Sequence, residues 1–432
     1  MYSLARALAA IMLIASAVSA EELGDHWSVN FNERFRLVTW DNAISLDRTA
    51  GASRTFTRHR TQLGAVWTPD KTVAIGLQLA NEFRYYAVPS TVDFHVDEVF
   101  VDLAYVKLAR PRSLPVTITV GRQNIILGEG FIVMDGHPLD GSRSIYFNAA
   151  RLDLHFSPAR QLTAFAIYIE ETDNWLPVIH SQKQALVEQP ETGLGLYYTV
   201  RNQQFESDAY VVFKRRGAND ALPHDASTVC MGARLKVPLS IPSQLYAVVE
   251  GAGQLGEQAG GDRRAMGAHG YVEHRPTRRQ VHWYLPSLMR AGAIYLSGDN
   301  PGTKNREGWD PMFARWPKWS ESYIYTQVKE DAVAWWTNLW SLNAAIQFAL
   351  SPSSDLRFDY HHLGAPQKSS DETDFPGGRG STRGDLFIGK LTYRFDQRWS
   401  GHLLWEGFVP GDYYFEGADS YAWIRAELMF QY

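Results

Sequence analysis

One cysteine in 432 residues excludes an intrachain disulfide framework, so stability has to come from main-chain architecture and packing. Cys230 then reads as a small apolar or lumen-side strand residue. Beyond the first twenty positions the chain also lacks any run of the ~18 uninterrupted apolar residues that a membrane helix needs, which excludes helical spans. Helical periodicity is scarce throughout and argues against a bundle. There is no basic excess either: the formal net charge is -5, and a nucleic-acid partner is not expected. What the chain has in quantity is aromatic residues, 13% of the total, with 14 Trp, 21 Tyr and 21 Phe. They have to serve something other than spanning helices.

The first twenty residues carry a single charge, Arg6, then the apolar run Ala7 to Val18 and the small-residue site Val18-Ser19-Ala20 before Glu21-Glu22. This pattern predicts a secretory signal peptide over 1-20 and a mature chain from near Glu21. From Trp27 onward the sequence alternates between apolar and polar positions, as a strand with two different faces does. Strands are expected near 27-39, 54-67, 72-85, 96-108, 115-124, 144-156, 161-172, 191-200 and 207-216. They continue near 227-237, 243-256, 265-275, 285-298, 332-349, 355-363, 384-395, 400-410 and 418-432. Every second connection is tight, as at Thr68-Pro69-Asp70-Lys71, Arg110-Pro111-Arg112, Ser157-Pro158-Ala159-Arg160, Ser351-Pro352-Ser353-Ser354 and Asp396-Gln397-Arg398. The others, including 125-143, 173-190, 299-331 and 364-383, are long and polar or Gly-rich. In the last strand Ile424, Ala426, Leu428, Phe430 and Tyr432 share one face, and Arg425, Glu427 and Gln431 the other. That ending resembles the C-terminal signal of outer-membrane barrels. The expected fold is therefore all-β: a transmembrane antiparallel β-barrel of about 18 strands, of the bacterial outer-membrane type, forming a single domain over 21-432. Lipid is its first partner.

If the apolar parity of each strand faces lipid, the opposite parity enumerates the lumen. It holds Arg34, Arg36, Arg54, Arg58, Arg60, Arg84, Arg122, Arg151, Lys214, Arg234, Arg357, Lys390, Arg394 and Arg425, with Asp153 among the fewer acids. Glu82, Glu98, Asp102, Asp359 and Glu427 share that parity. Glu33 falls on the lipid parity without explanation. Basic side chains thus outnumber acidic ones on the inner face of a chain that is acidic overall, and a basic lining selects anions. About eighteen strands leave a water-filled channel rather than a packed core. The competing reading pairs these arginines with neighbouring acids, as Arg84 with Glu82 or Arg357 with Asp359, and leaves them to solvate the wall. Guanidinium matches carboxylate in planar, bidentate fashion, which favours an acidic passenger over a halide.

Several motifs carry little. Gly251-Ala252-Gly253-Gln254-Leu255-Gly256 fits a dinucleotide fingerprint, but Gly-Gly follows where a helix is needed. Gly384 to Lys390 has the spacing of a phosphate loop, but Leu391 stands where a hydroxyl should be. His361 and His362, like His269 and His274, fall on opposite strand faces, so neither pair makes a metal site. Asp359 with His361 and Asp153 with His155 could serve a barrel hydrolase, yet no serine is marked as a nucleophile. The segment Trp309 to Tyr325 could stack on sugar rings, form an interface girdle or fold as a lid. No cofactor and no metal are expected.

Gly121-Arg122-Gln123 closing one strand, the Gly-rich connection after it, and Phe147-Asn148-Ala149-Ala150-Arg151-Leu152 opening the next resemble the bacterial alginate export family of outer-membrane barrels. A second patch is Trp309-Asp310-Pro311-Met312-Phe313-Ala314-Arg315-Trp316-Pro317-Lys318-Trp319-Ser320-Glu321. Asp is usual in that pattern where this chain has Asn148, a departure that would weaken an ion pair with Arg122 or Arg151. The resemblance implies an eighteen-stranded barrel that passes an anionic polysaccharide outward through an arginine-rich constriction, beside a periplasmic scaffold and an inner-membrane synthase. The alternatives are a specific porin for uptake of small anionic or sugar solutes and, more remotely, an outer-membrane barrel hydrolase.

Overall fold

The computed structural model describes residues 24-111, 114-134, 146-276, 283-315, 318-323, 334-368 and 377-432. The expected signal peptide lies outside the described residues, as does part of the Gly-rich connection after Gln123. Strands run in chain order as β1 Trp27–Trp40, β2 Arg54–Trp67, β3 Val73–Val88, β4 Val99–Ala109, β5 Val116–Gln123, β6 Phe147–Ser157, β7 Arg160–Ile169 and the two-residue β8 Val178–Ile179. They continue as β9 Glu191–Arg201, β10 Glu206–Arg216, β11 Ala226–Ser240, β12 Leu245–Gln258, β13 Gly261–His274 and β14 Pro286–Leu296. The last five are β15 Leu339–Ser351, β16 Ser354–Gly364, β17 Thr382–Arg394, β18 Trp399–Pro410 and β19 Tyr421–Gln431.

Each wall strand pairs antiparallel with its sequence neighbours, β7 pairs directly with β9, and β1 closes the ring on β19 from Asn32↔Gln431 to Trp40↔Trp423. β8 sits outside this circuit, against Val99 and Phe100 of β4, so the wall is a closed barrel of eighteen strands. Closure removes the unpaired edges that hydrocarbon would not tolerate. Alternation then sorts the side chains. Phe35, Leu37, Leu63 and Leu77 are exposed on the outer face, while Arg34, Arg36, Arg58, Arg60 and Gln62 of the same hairpins are buried inside. Exposed and half-buried aromatics gather at the short-turn end, where the rings of Trp27 and Trp67 lie 6.3 Å apart and those of Trp399 and Phe430 4.9 Å apart. These suit a membrane interface. Cys230 is buried on β11, without a disulfide.

Three local departures from the alternation have physical causes. The strand expected from 332 begins at Leu339, because Trp335 and Trp336 are buried in the interior instead of continuing the wall. The strand expected from 96 begins at Val99; the Asn81 amide donates to the carbonyls of Val96 and Glu98 and occupies the place of a ladder. The connection between β12 and β13 is a two-residue turn at the long-loop end, with Ala259 at φ 50° and Gly260 at φ 77°, the paired positive angles of a tight hairpin.

Gly121 sits in β5 at φ 122°, and a Cβ there would lie 2.2 Å from the Ala104 carbonyl oxygen of the paired strand. Gly121→Ala is expected to destabilise the barrel by roughly 2 kcal/mol. A lower temperature for loss of the compact band in heat-modifiability gels would show it, and an unchanged transition would refute the strain.

Candidate functional site in the lumen

The inward side chains of β1 to β3 are set by register. Arg36, Arg58 and Arg84 form one row across the three strands, and Arg34, Arg60 and Glu82 the next. Arg58 donates to Glu82 at 2.8 Å, Arg34 approaches the same carboxylate at 4.0 Å, and Arg36 pairs with Glu427 of β19. Glu427 is shared with His402 at 3.1 Å. Arg84 lies 5.5 Å from the Phe56 ring centroid. On the other side of the β19 seam Arg425, Leu404, Lys390 and Arg357 are successive partners across β19 to β16. Arg425 donates to Glu321 at 2.8 Å, and Arg357 grips Asp359 through two bonds of 2.6 and 2.8 Å. An arc of cations therefore runs around the wall from β16 through the closure to β3, and it outnumbers the acids set among it. The arrangement mixes the two expectations: individual arginines are paired, yet the patch keeps a positive excess.

The remaining expected lining residues do other work. Arg122 makes a bidentate pair with Asp173 at 2.7 and 3.0 Å, donates to Asn148 at 3.0 Å and stacks 3.7 Å from the Tyr146 ring centroid. Asp173 thus supplies the carboxylate that Asn148 does not. Arg151 donates to Asp153, which also accepts from Thr163 and Gln161. Arg54 is spent on the carbonyls of Gly51 and Ser53 at the loop rim, and Arg394 is exposed at the turn end. Lys214 and Arg234 tie loops.

Two loops fold into the barrel. In the connection after β5, Ile125, Phe131, Ile132, Val133 and Met134 are buried, and Phe131 stacks on Trp309 at 5.2 Å. Glu129 of this loop accepts from Arg234 at 2.6 Å and from the Tyr271 hydroxyl at 2.8 Å. Burial works to raise the Glu129 carboxyl, but those two donors outweigh it and hold it below the usual range. The connection between β14 and β15 meets this loop from the other side. Its Asp310 faces Lys214 at 3.5 Å, Lys214 also binds Glu191 at 2.9 Å, and Arg315 makes a bidentate pair with Glu188 at 2.6 and 2.8 Å. Burial pushes Asp310 upward, and the cations Lys214, Arg216 and Arg263 more than reverse it. The loop then crosses to β18, where both Glu406 oxygens accept from residues 320-322.

Trp309, Met312 and Phe313 are almost wholly buried in this packing, so the described part of the aromatic segment is interior structure rather than an exposed sugar platform; Trp316, Pro317, Ile324 and Tyr325 lie outside the described residues. The hydrolase pairs do not form: His361 meets Ser341 at 3.2 Å while Asp359 holds Arg357, and His155 meets Thr117 at 3.1 Å while Asp153 holds Arg151. His361 is buried and His362 pairs outside with Asp385 at 2.9 Å, on opposite faces as expected. Among the described residues no group of three His, Cys, Asp or Glu is placed to hold a metal. The outward Glu33 accepts from Thr61 at 2.6 Å, a local answer to its position on the lipid parity. Sequence reasoning missed the contacts of Glu406 and Lys318; the one available signal for Glu406 was an acid on the same parity of its strand as His402.

The fold is that of solved outer-membrane proteins from Pseudomonas aeruginosa. OpdO superposes with a TM-score of 0.60 at 11% identity, over 96% of this chain and 99% of that one. The outer membrane protein OpdK gives 0.57 at 11% over 94% and 99%, and OpdK with vanillate 0.56 at 10% over 94% and 98%. No protein-family model and no curated protein sequence matches the chain. The class that follows is a closed antiparallel β-barrel with the fold of bacterial outer-membrane proteins. The resemblance to the alginate export family is corrected by the same comparison, because the chain superposes end to end on solved OccK and Opd proteins. The residues that suggested it serve the wall: Gly121 permits a close strand approach, and Arg122 braces Asp173 while donating to Asn148.

Lys214→Met would leave Asp310 and Glu191 buried without their shared cation. The expected cost is about 3-5 kcal/mol, with a looser inner loop. Single-channel recordings should show larger, noisier conductance; a wild-type trace would mean that the tie does not hold the loop.

Proposed function

We propose that the protein is a channel for specific uptake of small anionic solutes across the outer membrane. The observation that carries the reading is the basic arc formed by Arg34, Arg36, Arg58, Arg60, Arg84, Lys390 and Arg425, facing a lumen narrowed by two inward loops. A carboxylate meets several modest contacts in turn and is still released, which conduction requires. The narrowing favours small solutes over a polymer, so neither polysaccharide export nor a periplasmic scaffold forms part of this reading. The solved OpdK structure that holds vanillate, a small aromatic carboxylate, supports the same solute class. In the orientation that suits such barrels the tight turns face the periplasm and the long loops the exterior.

Reversal potentials in planar bilayers under a salt gradient test the proposal. Anion selectivity is expected in the wild type. The double substitution Arg58→Ala with Arg60→Ala should reduce it in degree without abolishing conduction. Cation selectivity, or none, would return the arginines to wall structure and refute the anionic reading.

A further inference from the structure

The inward loop between β14 and β15 carries a cation that the wall arc does not account for. Lys318 is half-buried and lines a cavity of about 200 Å³ together with Arg290, Tyr271, Trp319, Asn343 and His361. The other cations here are engaged: Arg357 with Asp359, and Arg290 with Glu273 and, at 4.0 Å, with the Tyr271 ring. Lys318 donates to the backbone carbonyl of Glu129 and lies 5.6 Å from its neighbour's indole ring, Trp319. Among the described residues it has no carboxylate within ion-pair distance. The Glu129 carboxylate beside it is occupied by Arg234 and Tyr271.

The position of this ammonium is fixed from both sides. The Glu129 carbonyl holds it to the first inward loop. Immediately after it, Glu406 of β18 accepts from the Glu321 and Ser322 backbone amides at 2.9 and 3.0 Å and from the hydroxyls of Ser320 and Ser322. Arg425 anchors the Glu321 side chain at 2.8 Å. A charged group presented in this way, beside aromatic faces and the Asn343 amide, has the donors that a planar carboxylate needs.

We propose that the Lys318 ammonium is a carboxylate-recognition point of the channel, and that Glu406 positions it by clamping residues 320-322 across the lumen. This rests on the anion-uptake reading and adds to it a contact separate from the wall arginines. Burial pushes the Lys318 ammonium down to about 8, against the pull of Glu250 and Glu129. Its charge is then present at neutral pH and lost as pH rises through that value. The charged groups facing it are Glu129 from the first loop, Glu250 of β12, Arg234 of β11 and Arg290 of β14. His269, Asp359 and His361 line the same cavity.

The experiment is block of single-channel current by benzoate at pH 7.5 and pH 9. The wild type should be blocked more weakly at pH 9. K318M should be about tenfold less sensitive at pH 7.5, the loss of one charge-assisted bond, and should show no pH response. K318R should keep its block at both pH values, because guanidinium does not titrate there. E406Q, which retains one acceptor oxygen, should fall between wild type and K318M. If K318M is blocked like the wild type, or if the pH response survives in K318R, the inference is wrong. The wild-type reversal potential, read in the same membranes, separates the two levels. A channel that is not anion-selective overturns the uptake reading itself, whereas an anion-selective channel with unaltered K318M overturns this contact alone.

Discussion

Closure of the sheet is the constraint on which everything else depends. A strand in hydrocarbon has nowhere to place its amides and carbonyls except on a neighbour, so the first and last strands must meet. They do so from Asn32↔Gln431 to Trp40↔Trp423. Once the ring is closed, each side chain has only two destinations, lipid or lumen. The parity that gives Phe35 and Leu37 to lipid delivers Arg34 and Arg36 to the inside, where Glu427 across the seam receives Arg36. The charge of the lumen is thus a consequence of strand geometry acting on an alternating sequence.

Charges sent inward then organise the loops. Lys214, Arg234 and Glu406 are wall residues whose partners, Asp310, Glu129 and residues 320-322, lie on the two inward connections. Buried ion pairs contribute little net stability, but removing one member is costly, so they act chiefly as specifications of where a loop must sit. The apolar contacts of Phe131, Trp309 and Phe313 supply the packing between those points. The barrel's lumen therefore has a shape of its own, and its basic arc faces a narrowed passage.

The wall was legible in the sequence because its period is local. A run such as Arg54 to Trp67 announces both its length and its faces, and the same reading found the strands that make the ring. The inward loops were not legible, since nothing in the residues 124-134 or 297-323 marks their contacts with strands a hundred positions away. The Trp309 segment showed aromatic density without its destination. Pairing was only partly visible: Arg357 with Asp359 lies two residues apart and was foreseen, whereas Arg122 with Asp173 spans two strands and a loop. The short likeness to alginate exporters misled for a related reason. Gly121, Arg122 and Asn148 report on how two strands and a loop are braced, and bracing says nothing about what passes through.

The most direct measure of a narrowed, basic lumen is solute entry into proteoliposomes. Swelling rates should be compared for the sodium salts of small monocarboxylates, neutral sugars of matched size and uronate oligomers. The account predicts that the small carboxylates enter faster than their neutral counterparts and that the oligomers are excluded. Oligomers entering as readily as small carboxylates would contradict it.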